Sequence, residues 1–197
     1  MKSEALLAAA ALLLLPIGVA IAGPSPRDYG LSEFRAGAML DDVELFTGPA
    51  WIVPVPSTIS AGNLNTASFD LLFRSPKIGA FAWLGSPRPV VGVDLDVRRE
   101  SMIHAALNWH VDVPKSRLFL EGELGGALTN AAHSGAIPPF RNVGCSQLFY
   151  WSINLGYRID DHWDVMATEQ HASQAGLCGD HLNQGLNYDG IRIGYRF

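Results

Sequence analysis

The feature that most constrains this chain is a period of two that returns from Leu31 to the carboxy-terminus, while no long segment shows the 3.6-residue period of an amphipathic helix. The last segment shows it most clearly. There Asn187, Asp189, Ile191, Ile193, Tyr195 and Phe197 alternate with Tyr188, Gly190, Arg192, Gly194 and Arg196. Residues i and i+2 of a strand share a face, so one face is apolar toward its end and the other carries arginines and glycines. Similarly, Phe149, Trp151, Ile153, Leu155 and Tyr157 oppose Tyr150, Ser152, Asn154, Gly156 and Arg158. Val91, Val93, Leu95 and Val97 oppose Gly92, Asp94, Asp96 and Arg98. Eight such segments can be drawn, near 31–41, 65–74, 88–98, 101–111, 116–128, 146–159, 161–173 and 186–197. An even number of antiparallel strands suits a closed barrel.

A soluble sandwich would alternate as well, with its charged faces toward water. A barrel in lipid reverses the sense: the apolar face points outward and the polar side chains close inside. The aromatic residues fall at strand ends, and the chain ends on Tyr195-Arg196-Phe197, similar to the aromatic carboxy-terminus by which bacterial outer-membrane barrels are recognised for insertion. The expected fold is therefore all-β, an eight-stranded antiparallel transmembrane barrel in the outer membrane. After Ala22 no apolar stretch is long enough for a transmembrane helix, so insertion would be by strands alone. A net charge of -5 supplies no basic field for nucleic acid. Inward charges such as Glu121, Glu123, Arg158, Arg192 and Arg196 read as a polar network bracing the barrel, and an eight-stranded barrel filled with side chains is no porin.

Residues 1–22 read as a cleaved signal peptide. Lys2 precedes an apolar run from Ala5 to Ala22 that is broken by Pro16 and closed by the small-x-small pattern Ala20-Ile21-Ala22. The run is short, and interrupted, for an uncleaved anchor, so the barrel would be built from residues 23–197. With the mature amino-terminus on the periplasmic side, Val113-Pro114-Lys115 and Asp160-Asp161 become short periplasmic turns, and 42–64, 129–145 and 174–185 become outer stretches. Pro49, Pro54 and Pro56 interrupt any strand in the first of these. The two cysteines, Cys145 and Cys178, fall at the same end in an exported chain, so a disulfide is the default. No Cys-x-x-Cys or His-x-x-x-His spacing suggests a metal, and no cofactor is implied.

On the seventh segment Glu169, His171 and Ser173 project from one face. Serine nucleophiles need an imidazole within reach and a third group to orient it. A lone His-x-Ser is weak, since both residues could be ordinary polar groups at a membrane interface. Asn187 and Asp189 also project outward from the last segment at nearly the same level, and that gathering on a lipid-facing wall asks for a chemical explanation.

The sequence resembles the outer-membrane lipid A 3-O-deacylases from about Leu84 to Phe197. The resemblance rests on Leu84-Gly85-Ser86-Pro87-Arg88-Pro89, Phe119-Leu120-Glu121-Gly122 with Gly125-Gly126, and Leu155-Gly156-Tyr157-Arg158. Most specific are His171-Ala172-Ser173-Gln174-Ala175-Gly176-Leu177, Asn183-Gln184-Gly185-Leu186-Asn187 and Gly194-Tyr195-Arg196-Phe197. It implies a serine esterase on the barrel's outer wall that removes a 3-O-linked acyl chain from lipid A, so that lipopolysaccharide and outer-membrane lipid would be its partners. His171 and Ser173 match the family's His-x-Ser motif. Two positions depart from it: Gln174 stands where the family has an oxyanion-stabilising Asn, and Asn187 where it has the triad Glu. Asn183 belongs to the same candidate group of oxyanion or orienting residues. Asp189 and Glu169 are the candidate substitute acids, although a strand step of two residues moves a side chain about 7 Å. The competing reading, fed by Asn187, is a structural or adhesive barrel without catalysis. A weaker one is an outer-membrane phospholipase using the same pair, distinguished by calcium dependence and by the substrate consumed. A homodimer is one further partner state left open.

Overall fold

The computed structural model describes residues 30–41, 64–98, 100–137, 140–179 and 183–197. The expected signal peptide and most of the first outer stretch lie outside these residues. The strands are β1 (Leu31–Asp41), β2 (Leu64–Phe73), β3 (Arg88–Asp96), β4 (Met102–Asp112), β5 (Leu118–Thr129), β6 (Gln147–Arg158), β7 (Trp163–Ser173) and β8 (Leu186–Arg196), with one helical turn, α1 (Gly79–Trp83), between β2 and β3. Every boundary falls within two residues of the alternation pattern. Each strand pairs antiparallel with the next, and β1 pairs with β8, closing the barrel. Closure gives every strand edge a partner, which a lipid environment demands because it offers the backbone no hydrogen bonds.

The alternation resolves as a transmembrane barrel requires. Val91, Leu95, Ile103, Leu120, Leu124, Ile153, Leu155, Ile191 and Ile193 are exposed on the outer wall, whereas Arg35, Asp70, Asp94, His104, Asn154 and Arg192 are buried inside. A soluble sandwich would show the reverse. Trp163, Tyr195 and Phe197 cluster at the end where β1 begins and β8 ends, the termini end of the described barrel, with ring centroids 4.9 and 5.4 Å apart for the successive pairs. Such an aromatic girdle marks a membrane interface.

The interior is filled in two layers. Toward the termini, Arg35 bridges Glu33 at 2.6 Å, Glu121 at 2.8 Å and Glu123 at 3.4 Å, and Arg88 reaches Glu33 and Glu121. Above them Arg192 lies 2.9 Å from Asp70, while His104 sits between Asp70 and Asp94 and stacks on Tyr150 at 4.3 Å. Gly92 leaves the room for this: a Cβ there would collide with Asp70 and His104. Arg158 and Arg196 stand at the mouth near the termini, beside Asp112 and Asp164. The other end is closed by apolar packing, with Met39, Met102, Ala127, Leu148, Leu186 and Tyr188 in one buried cluster.

The links are short at the termini end. Lys115, at φ 60, turns β4 into β5, and Val113 N donates to Leu118 O at 3.0 Å. Between β6 and β7 the Asp160 carboxylate accepts from His162 N and Trp163 N at 2.7 and 2.8 Å. These bonds to backbone N–H groups hold the Asp160 carboxyl below its ordinary pKa.

Candidate active site on the outer wall

The candidate residues come together where β6, β7 and β8 meet the loops opposite the termini. The register places His171 beside Trp151 on one flank and Asn187 on the other. All three project outward, so one row of the lipid-facing wall reads Trp151, His171, Asn187. Ser173, the last residue of β7, projects from the next row and pairs with Phe149. His171 Nδ1 lies 2.5 Å from Asn187 Oδ1. Because that oxygen can only accept, Nδ1 carries the proton, and Nε2 keeps its lone pair on the opposite side of the ring. The Trp151 ring lies 5.5 Å from the imidazole at 31°. Among the described residues Ser173 Oγ has no hydrogen-bond partner, and like His171 it is half-buried. Bonds between a catalytic hydroxyl and its base are often long without substrate and tighten in the complex.

The loop after Ser173 is fastened at several points. Gln174 N donates to Asn183 Oδ1 at 3.1 Å, and the buried Gln174 side chain accepts from Cys178 N at 2.9 Å. The Gln174 oxygen thus orders its own turn. Cys145 and Cys178 form a disulfide across 33 residues, tying the β5–β6 loop to the β7–β8 loop. Beside it, Asn142 N donates to Gln184 Oε1 at 2.6 Å and Gln184 N donates to Asn142 O at 3.1 Å. In chain-entropy terms a loop of this length is worth about 4 kcal/mol when closed.

Asp189 and Glu169 are not brought to the imidazole. They pair with each other across β7 and β8, one row nearer the termini. Asp189 is only 3% exposed, and among the described residues neither of its oxygens has a hydrogen-bond partner.

Sequence reasoning missed two contributors. Trp151 was visible as an outward residue of its strand, but only the register shows that it flanks His171. Gly185 adopts φ +72, and a Cβ built on it would stand 2.8 Å from His171 Cε1 and 3.3 Å from Ala172 O. Its missing side chain is the space the imidazole occupies. No group of three or more potential ligands able to hold a metal ion is found among the described residues.

The sequence profile of the family described as Lipid A 3-O-deacylase (PagL) matches residues 69–196, well over half of the chain. Among solved structures, the chain is similar to the outer membrane enzyme PagL at 14% identity and a TM-score of 0.54, covering 83% of this chain and 98% of that one. It is also similar to the N-terminal β-barrel domain of Pseudomonas aeruginosa OprF at 10% identity and a TM-score of 0.50, covering 85% and 98%. These structural likenesses concern the fold. No curated protein sequence matches the chain. A barrel with an apolar outer wall and a charged, filled interior, matched by this profile from the middle of β2 to the end of β8, is a bacterial outer-membrane protein that belongs to the lipid A 3-O-deacylase (PagL) family.

Proposed function

We propose that this protein is a serine esterase that removes the 3-O-linked acyl chain of lipid A, with Ser173 as nucleophile and His171 as general base. The observation that carries the proposal is the row Trp151, His171, Asn187 on the lipid-facing wall, with Ser173 beside it and the imidazole held in the tautomer that leaves Nε2 free. Lipid A lies in the outer leaflet with its ester bonds near the interface, so a site that opens sideways into lipid meets the substrate without extracting it.

In this mechanism Nε2 takes the Ser173 proton as Oγ attacks the ester carbonyl. The tetrahedral intermediate collapses by breaking the bond to the sugar oxygen, which receives that proton from the imidazolium and leaves as a hydroxyl. Water, deprotonated by the same nitrogen, then attacks the acyl-enzyme and releases the 3-hydroxy fatty acid. Asn187 fills the orienting role of the triad's third member through Oδ1 but supplies no charge. Asp189 and Glu169 act only at a distance, from about one strand step away. Gln174 and Asn183 serve as orienting residues that fix the loop beside Ser173.

A second reading follows from Asn187: a barrel that kept the fold and lost the reaction. Mass spectra of lipid A from outer membranes carrying the protein, or its Ser173→Ala variant at equal abundance, decide between the two. Loss of one 3-hydroxyacyl group with the wild type alone is expected; identical spectra would leave a structural or adhesive barrel.

A further inference from the structure

We propose that the β2–β3 connection is a membrane-seated element, in which α1 lies in the interfacial region of the phospholipid leaflet on the termini side, the periplasmic face, with Trp83 as its anchor. The other links on this edge are polar turns, Val113 to Arg117 and Ile159 to His162. The segment Ile78-Gly79-Ala80-Phe81-Ala82-Trp83-Leu84, by contrast, has no charged residue and six apolar ones. It nevertheless contributes no residue to the core: Phe81 is half-buried, but Trp83 is 86% exposed and Ile78 is 56% exposed.

A single helical turn has no stability of its own in water. In an interface it does what lipid requires, bonding its own backbone: Ala82 N donates to Ile78 O, Leu84 N to Ala80 O and Ser86 N to Phe81 O. The turn is also aimed at the bilayer. Trp109, on the outer face of β4, donates its indole Nε1–H to Leu84 O at 2.8 Å, so the end of α1 is pinned to the lipid-facing wall and does not extend away from the barrel. The apolar surface of α1 is thereby continuous with the band that already contacts acyl chains. Exposed Arg74 and Lys77 precede it, placed for headgroup phosphates. Tryptophan is enriched at this depth because its ring is apolar and its N–H is polar.

The test uses the full protein in phospholipid vesicles, unlabelled or brominated on the acyl chains, with Trp83→Phe as reference. Subtracting the variant's emission isolates Trp83 from the other four tryptophans. The expected result is a blue-shifted Trp83 signal that loses most of its intensity in brominated lipid and is protected from iodide present on both sides of the vesicle. A signal at the water-exposed wavelength, quenched by iodide and indifferent to bromine, overturns the proposal. So does a signal that shifts only as protein is crowded at fixed lipid composition, which would make a second copy the partner.

Discussion

Replacing Asn187 by Asp exchanges an amide for a carboxylate in the group that holds His171 and leaves side-chain length, strand and register unchanged. In the wild type, His171 Nδ1 lies 2.5 Å from Asn187 Oδ1, and an aspartate in the same rotamer puts a full negative charge there. A neutral hydrogen bond contributes about 1 kcal/mol net, and one to an ionised partner about 1.5–3 kcal/mol. The difference is about 0.5–2 kcal/mol, and the attraction is greatest when the imidazole is protonated and faces the carboxylate as a full ion pair, so the part that raises kcat is what is gained between the resting enzyme and the transition state. At about 1.4 kcal/mol per decade, kcat should rise about 2- to 30-fold. In serine proteases an amide in place of the triad acid costs about 10⁴-fold because it imposes the wrong tautomer. Here Oδ1 accepts from Nδ1–H and keeps the right one, which is why the smaller figure is expected. The assay is the initial rate of 3-hydroxy fatty acid release from lipopolysaccharide in detergent micelles, with Ser173→Ala as the blank. Equal rates for wild type and Asn187→Asp, with the blank inactive, would refute the idea that the charge beside the imidazole limits the reaction.

Gly185→Ala forces a methyl group into the space of the His171 ring at a backbone angle that favours glycine. Activity should fall about 10²-fold, as for a misplacement of roughly an ångström, while heat-modifiable gel mobility still reports a folded barrel; full activity would show that the imidazole has slack. Arg35→Met leaves Glu33, Glu121 and Glu123 without their shared cation and should cost about 3–5 kcal/mol, read as a lower urea midpoint by tryptophan emission. An unmoved midpoint would mean that Arg88 alone suffices. Glu100, in the β3–β4 link, is held above its ordinary pKa by burial, so its ionisation opposes folding: the penalty is fully present above the raised folded value and is relieved as pH falls through it. Glu100→Gln keeps an oxygen for Arg141 N, which now donates to Oε1 at 2.5 Å, and should therefore stabilise the protein at neutral pH with the gain vanishing in acid. A gain independent of pH would assign the effect to packing.

The strands were legible because period-two alternation is a local property, and a barrel in lipid enforces it on every strand. The outer-wall row was legible in part: His171, Asn187 and Asp189 could be placed on outward faces, but the face of a strand does not say which residue stands opposite which. Only the register shows that Asn187 reaches the imidazole, whereas Asp189 and Glu169 meet each other. The interior network was hidden for the same reason. Arg35 finds Glu121 and Glu123 from strands far along the chain, through a stagger that no local pattern encodes. At five residues, α1 is too short to show a helical period, and the apolar content of its segment was its one signal.

The filled interior also bears on the cell that carries this barrel. Every copy of an outer-membrane barrel is a potential puncture in the barrier it sits in. Among the described residues, arginines locked to carboxylates in the middle, with Met39, Met102 and Leu186 packed above them, fill the lumen that ions would have to cross. A planar bilayer doped with the protein should therefore stay electrically silent, and steady ion currents would show that this interior opens.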